Sequence, residues 1–152
     1  MHFAEYDSPL GKLLLCSDGG SLTGLWFDRD MPEGAQQDPV LEAAKAWLDG
    51  YFRGAPGEPG FPVKPEGTDF QKRVWDLLLQ IPYGQVRTYG DLARELSPGM
   101  SAQAVGQAVG RNPISILIPC HRCVGAGGKL TGYAWGIERK KWLLEQEQKG
   151  RA

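Results

Sequence analysis

The sequence is short of thiols, of histidine and of long apolar runs, and each shortage excludes something. Three cysteines in 152 residues is a small and odd number. A disulfide framework is therefore not expected, and the thiols read as reduced, in a cytoplasmic setting. With two histidines and three cysteines, a four-ligand zinc site would have to be assembled from Cys16, His2, His121 and the Cys120/Cys123 pair. Their spacing offers no second ligand pair, so no metal is expected. No apolar run is long enough to span a bilayer. His2, Glu5 and Asp7 stand where a secretory leader would need apolar residues, so no signal peptide is expected. No internal repeat is present. The length allows one ordinary domain or two small ones, and 21 glycines with 11 prolines indicate a loop-rich globular chain.

Net charge is also nearly absent, at −1, but its distribution is uneven. Residues 1–67 carry 5 Lys and Arg against 11 Asp and Glu, whereas residues 68–152 carry 12 against 7. An acidic half joined to a basic half suggests that the second half meets a polyanion, although two solvated surfaces could differ this much by chance.

The coarse organisation follows from periodicity and turn residues. Residues 2–7, 12–17 and 21–27 read as strands of an antiparallel meander, with turns at Ser8-Pro9-Leu10-Gly11 and Asp18-Gly19-Gly20. Residues 38–53 have helical spacing at Leu41, Ala44, Leu48, Tyr51 and Phe52. Residues 1–53 are thus expected to form an N-terminal α/β domain. Residues 54–67, with four prolines, read as a stiff, extended linker. Residues 68–152 would form a second domain.

That domain opens with Thr68-Asp69-Phe70-Gln71, a capping box, before an apolar stripe of Phe70, Val74, Leu77, Leu78 and Ile81. Thr88 and Asp91 predict a helix to Leu96. Ser97-Pro98-Gly99 predicts a turn, and Ser101 predicts a helix to about Arg111. Together these outline a helix-turn-helix. In its second helix Ala102, Val105 and Val109 point to a core, while Gln103, Gly106, Gln107 and Gly110 share the opposite face. Each glycine in a helix interior costs about 1 kcal/mol. Close approach of a DNA groove would justify that cost, and so would tight helix–helix packing. A final helix is expected from Ile137 to about Gln148.

The most informative segment is Pro119-Cys120-His121-Arg122, which follows the apolar run Ile114-Ser115-Ile116-Leu117-Ile118. That run reads as a buried strand, with a thiol presented at its end beside an imidazole. A thiol is a nucleophile as thiolate, and a neighbouring base can supply that form. Cys123 makes a CxxC with Cys120, but a thioredoxin-type motif belongs at a helix start early in a βαβ unit. A thiol, a histidine, a helix-turn-helix and a basic half in one chain suggest a nucleophile acting on nucleic acid, with the target base extruded from the duplex.

Residues 68–147 resemble the C-terminal domain of the O6-alkylguanine-DNA alkyltransferases, the methylated-DNA–protein-cysteine methyltransferases. The matching motifs are Pro119-Cys120-His121-Arg122, Thr68-Asp69-Phe70-Gln71-Lys72-Arg73-Val74-Trp75, Ile81-Pro82-Tyr83-Gly84, Ala104-Val105-Gly106, Asn112-Pro113 and Lys140-Lys141-Trp142-Leu143-Leu144. Residues 1–67 fit the family's variable N-terminal domain in a short form. The resemblance implies an α+β protein, with a small antiparallel-sheet N-terminal domain, ribonuclease H-like in the family, and a mainly helical C-terminal domain. It implies direct, irreversible, single-turnover transfer of an alkyl group from O6 of guanine, or O4 of thymine, to Cys120, with no cofactor.

Carried over by position, His121 relays a proton through a water held by Asn112, and Glu147 orients His121. Tyr89 bonds the flipped guanine and donates toward N3. Tyr133 walls the pocket, Ala134 offers its backbone N–H to the guanine oxygen, and the carbonyls of Cys120 and Cys123 accept from the exocyclic amine. Ala102, Gln103, Ala104, Gly106, Gln107, Arg111 and Arg122 would meet DNA through the minor groove, with the protein acting as a monomer away from membranes.

Three positions depart from the family pattern. Gln103 stands where an arginine usually enters the base stack, Cys123 replaces a usual valine, and Trp135 occupies a position of variable size, where it should narrow the pocket entrance. Two other readings stay open: a non-catalytic alkyltransferase-like protein that binds lesions, and a CxxC thiol oxidoreductase.

Overall fold

The computed structural model describes residues 1–151. The chain divides into two compact units, Met1–Glu66 and the remainder from Gly67 onward.

In the first unit β1 (His2–Ser8), β2 (Gly11–Ser17) and β3 (Leu22–Phe27) form an antiparallel meander in the order β1-β2-β3. Ala4 pairs with Leu15, and Leu15 with Leu25. Strand β2 is buried from Leu13 to Ser17, as befits the central strand. Helix α1 (Pro39–Phe52) packs on the sheet through Leu41, Ala44, Leu48 and Tyr51. Asp38 caps the helix by accepting from the Leu41 amide at 2.9 Å, and its other oxygen holds Ser17 Oγ at 2.7 Å and His2 Nδ1 at 2.6 Å. The cap thus ties the helix start to two strands. Part of the proline-rich stretch belongs to this unit. Phe61 is buried, and Leu22 exchanges backbone hydrogen bonds with Pro62 and Lys64 at 2.9 and 2.8 Å.

The second unit is helical. Helix α2 (Asp69–Leu79) starts in a complete capping box between Thr68 and Gln71. Its inner face is Val74, Trp75 and Leu78, with Ile81 following. Trp75 Nε1 donates to the Ala108 carbonyl at 2.9 Å and so locks α2 to the helix that contains Ala108. A second capping box, Thr88 with Asp91, starts α3 (Tyr89–Leu96). Gly99, at φ +82°, allows the tight turn, and Ser101 caps α4 (Ala102–Gly110). These two helices form the expected helix-turn-helix.

Two readings of this unit need correction. The inner face of α4 is Val105, Ala108 and Val109, whereas Ala102 is exposed. Ala102 is the first helical residue, one turn outside the packed stretch. The apolar run Ile114–Ile118 is buried but is not a strand. Ile116 adopts φ +71°. The Leu117 amide bonds Ser115 O at 2.8 Å, and the Ile118 amide bonds Ile114 O at 3.0 Å. For these two amides local turns take the place of a strand's ladder bonds.

The sheet in this unit is a short parallel pair, β4 (Arg87–Thr88) with β5 (Cys123–Val124). It sets the start of α3 beside the Cys120–Cys123 turn. Helix α5 (Ile137–Arg151) closes the unit. Lys140, Leu143 and Glu147 are its buried positions at helical spacing. Two of these three are charged.

Candidate active site

Cys120 opens a 3₁₀ turn, Cys120–Arg122, directly after Pro119. The turn is held by the Arg122 amide on Pro119 O at 2.9 Å and by the Cys123 amide on Cys120 O. Cys120 lines a cavity of about 310 Å³ with Tyr89, Gly106, Val109, Gly110, Asn112, Gly132, Tyr133, Ala134 and Trp135. Burial pushes its thiol pKa up, while the Asn112 amide, the Lys140 charge and the Tyr133 hydroxyl pull the other way. At neutral pH the group rests as a thiol and needs a base.

His121 is fully buried behind it. Its Nε2 lies 2.6 Å from Glu147 Oε2. Glu147 also accepts from Arg122 Nε at 2.8 Å, from Arg122 Nη2 at 3.1 Å and from the Gly84 amide at 3.3 Å. Burial opposes the Glu147 charge, but the bonds from His121 and Arg122 outweigh it and hold the carboxyl below the usual carboxylate range. Burial holds the His121 imidazole below its usual range, against the pull of Glu147. A neutral imidazole facing a carboxylate must donate from Nε2, which leaves the Nδ1 lone pair free to accept. Nδ1 is buried and has no protein partner.

Arg122, expected on DNA, is turned inward instead. Its guanidinium is committed to Glu147 and, through Nη1, to the Ile81 carbonyl at 2.8 Å. A buried carboxylate needs a paired cation, and Arg122 supplies it in bidentate form. The Ile81–Gly84 turn is drawn onto the same carboxylate, with Gln148 Nε2 donating to Gly84 O at 2.7 Å.

Tyr89 reaches across the cavity mouth and donates to the Thr131 carbonyl at 3.3 Å. Burial, and then the Cys123 and Cys120 thiols, push its phenol up to about 12, so it stays protonated. Tyr133 and Trp135 are half-buried. Asn112 spends its side chain on the backbone that precedes the nucleophile: Nδ2 donates to Ile118 O at 2.8 Å and Oδ1 accepts from the Ile114 amide at 2.9 Å.

Lys140, which the sequence marks only as part of a motif, is central to the site. Its ammonium is fully buried and donates to the carbonyls of Cys123 at 2.6 Å, Thr131 at 3.2 Å and Gly132 at 3.3 Å. It joins the turn that carries Cys120 to the loop that carries Tyr133, Ala134 and Trp135. The signal in the sequence is the spacing of Lys140, Leu143 and Glu147, which places two charges on the face that should be apolar. Cys123 is buried, lies outside the cavity lining and has its thiol pushed up to about 12 by burial. A redox CxxC needs a lowered thiol pKa, and neither cysteine has one.

The outer face of α4 forms one side of an open groove with Thr68, Phe70 and Gln71. Ala104, Gly106, Gln107 and Arg111 line it, and Gln103 is exposed near its start. A Cβ added at Gly110 would meet nothing within 4 Å, and one at Gly106 would make ordinary contact with the Tyr89 ring at 3.7 Å. Internal packing therefore does not require these glycines. Among the described residues no group of three or more His, Cys, Asp or Glu side chains could hold a metal. Among the described residues no helix is long and apolar enough to cross a membrane.

With this geometry in place, comparison with known proteins gives one answer. The family profile described as 6-O-methylguanine DNA methyltransferase, DNA binding domain, matches residues 69–149, and the profile for the ribonuclease-like domain of the same family matches residues 1–65. The chain belongs to the 6-O-methylguanine DNA methyltransferase family. It is 45% identical to a methylated-DNA–protein-cysteine methyltransferase of Mycobacterium tuberculosis over 97% of this chain and 93% of that one. It is 41% identical to the Haemophilus influenzae protein of the same name, covering 97% and 87%. A Mycobacterium tuberculosis structure in complex with DNA superposes with a TM-score of 0.89 at 44% identity, covering 99% of this chain and 94% of that chain.

Proposed function

We infer that the protein repairs alkylated DNA directly, taking the alkyl group from O6 of guanine onto Cys120, once per molecule. The Cys120 thiol on the cavity wall, backed by a buried His121–Glu147 pair, is the observation that carries this reading. The Cys120 proton passes to His121 Nδ1, through a water where the two do not meet directly. Glu147 stabilises the imidazolium that results. The thiolate displaces guanine from the alkyl carbon: an S–C bond forms, the C–O6 bond breaks, and the electron pair stays on the base. Tyr89, kept protonated, leaves Thr131 and donates toward N3 as that charge develops, while the Ala134 N–H meets the oxygen. The thioether is not a leaving group, so the reaction stops there.

A base reaches this cavity only when extruded. The outer face of α4, with Ala102, Gln103, Ala104, Gly106, Gln107 and Arg111, faces the duplex from the minor groove, and its missing side chains permit close backbone approach. Gln103 fills the vacated stack with an uncharged amide. The protein acts as a monomer in the cytoplasm.

Incubation with an O6-methylguanine duplex, followed by peptide mass analysis, tests this. One methyl on the Cys120 peptide is expected. Tight binding without transfer would instead establish the lesion-binding reading, which Cys120 argues against.

A further inference from the structure

Alkyl transfer uses the sulfur of Cys120 and leaves that of Cys123 idle, although the two residues close the same turn. The Cys123 amide donates to the Cys120 carbonyl across the 3₁₀ turn. Such a turn stacks side chains three residues apart over one another and rises about 2.0 Å per residue. The two Cα atoms therefore stand about 6 Å apart, inside the span of about 4.4–6.8 Å that a disulfide bridges. The backbone around Cys123 is pinned. Cys123 pairs with Arg87 between β5 and β4, and its carbonyl takes the Lys140 ammonium at 2.6 Å. Closing an S–S bond from the free thiols thus asks for side-chain rotation rather than backbone movement.

The two thiols differ in access. Cys120 lines the cavity, and Cys123 is fully buried outside its lining. A cavity that admits an alkylated base admits hydrogen peroxide, which meets Cys120 first. His121 supplies the same thiolate for either electrophile. Oxidation stops being reversible at the sulfinic acid, and a protein that reacts once cannot replace a nucleophile lost in that way. The raised pKa values of both thiols exclude a rapid redox catalyst, although the Lys140 charge opposes burial at both. They fit a bond formed once, under oxidant, and kept until a reductant opens it.

We propose that Cys123 is a resolving thiol, which captures a peroxide-oxidised Cys120 as a Cys120–Cys123 disulfide and so shelters the nucleophile reversibly. The Cys120 thiolate attacks a peroxide oxygen: an S–O bond forms, the O–O bond breaks, and the leaving hydroxide takes the proton held by His121. Sulfur is oxidised to the sulfenic acid and the peroxide is reduced to water. The Cys123 sulfur then attacks the sulfenic sulfur: the S–S bond forms, the S–O bond breaks, and the hydroxyl leaves as water with the Cys123 proton.

Full-length wild type, Cys123→Val and Cys123→Ser are treated with hydrogen peroxide, and half of each is then reduced with dithiothreitol. Peptide masses are read before reduction, and single-turnover transfer from an O6-methylguanine duplex before and after it. The transfer readout rests on the alkyl-transfer reading above; the masses do not. Because the Cys123 carbonyl belongs to the site in that reading, each protein is referred to its own untreated rate. The wild type should yield a Cys120–Cys123 peptide lighter by two hydrogens, lose transfer, and regain most of it on reduction. Both variants should yield Cys120 heavier by two oxygens and regain little. Sulfinic acid on wild-type Cys120 in the variants' proportion, a bridge to Cys16 instead, or Cys120 left unoxidised overturns the proposal. Recovery in the wild type no greater than in the variants overturns it too. Should neither variant fold, the wild-type masses decide alone. A protein that forms the bridge but takes no methyl from DNA before oxidation would overturn only the transfer reading.

Discussion

Helices α4 and α5 break the usual rule for amphipathic helices in opposite ways. Helix α4 presents small, uncharged residues to the outside, where charge is free of cost. Helix α5 buries Lys140 and Glu147 on the inside, where charge is costly. Buried charge persists when it is fully paired and has work to do. Glu147 gathers four donated bonds from three residues, and Lys140 gathers three carbonyls. Bare helix surface persists when something else must approach it. On this view α5 builds the chemistry and α4 meets the DNA, so substitutions on the two helices should fail in different assays.

The largest effect should come from α5. Glu147→Ala removes the carboxylate shared by buried His121 and part-buried Arg122, and breaking such a pair costs about 3–5 kcal/mol. Losing the group that orients the base should also slow transfer by about 10²–10⁴-fold. Thermal melting and single-turnover kinetics measure the two effects separately. Next is Lys140→Met. Its three carbonyls lose their donor, and leaving buried groups unsatisfied costs about 1–3 kcal/mol. Transfer should fall by more than DNA affinity does, because the α4 face is untouched. Equal loss of binding would break the division between the helices.

Acid should act through the same helix. His121 is held neutral below its ordinary pKa of about 6.5. The unfolded chain therefore takes up that proton first, and stability is lost as pH falls below the ordinary histidine value. The depressed Glu147 carboxyl contributes stability above its ordinary pKa of about 4.3, which is lost as pH falls through its lower folded value. Transfer should decline as His121 gains its proton, because protonated Nδ1 cannot accept from the thiol. Transfer rates measured from about pH 8 down to about pH 4, and melting temperatures carried on to the folded Glu147 value of about 2, check both. A rate that rises on acidification would contradict the role of His121.

The smallest effects belong to α4, and there the sign is the test. Gly110→Ala meets open space, and alanine in a helix is favoured by about 0.5–1 kcal/mol over glycine. The variant should melt at a higher temperature yet bind duplex DNA more weakly. Gln103→Arg should bind duplex more tightly, with a steeper salt dependence, and Gln103→Ala should transfer more slowly.

Much of this site was legible in the sequence because short motifs carry it. Cys120, Asn112, Tyr89 and Tyr133, each named from a motif, line one cavity, His121 and Glu147 pair behind it, and the caps at Thr68, Thr88 and Ser101 start the helices they mark. What was not legible depends on three-dimensional pairing. An apolar, β-branched run such as Ile114–Ile118 cannot distinguish a strand from a buried series of turns. Arg122 reads as a surface cation until the carboxylate of Glu147, 25 residues away, is seen beneath it. Lys140 is a polar residue in an apolar register, a pattern that flags a buried bond but does not name its partner.

The central claim is that Cys120 accepts one alkyl group and is then spent. Titrating the protein with a duplex carrying a labelled methyl on guanine O6 tests it most directly. The account predicts a plateau at one methyl per protein molecule, all of it on the Cys120 peptide, and no transfer to Cys120→Ser. Continued turnover beyond one equivalent, or label on Cys123 instead, would contradict it.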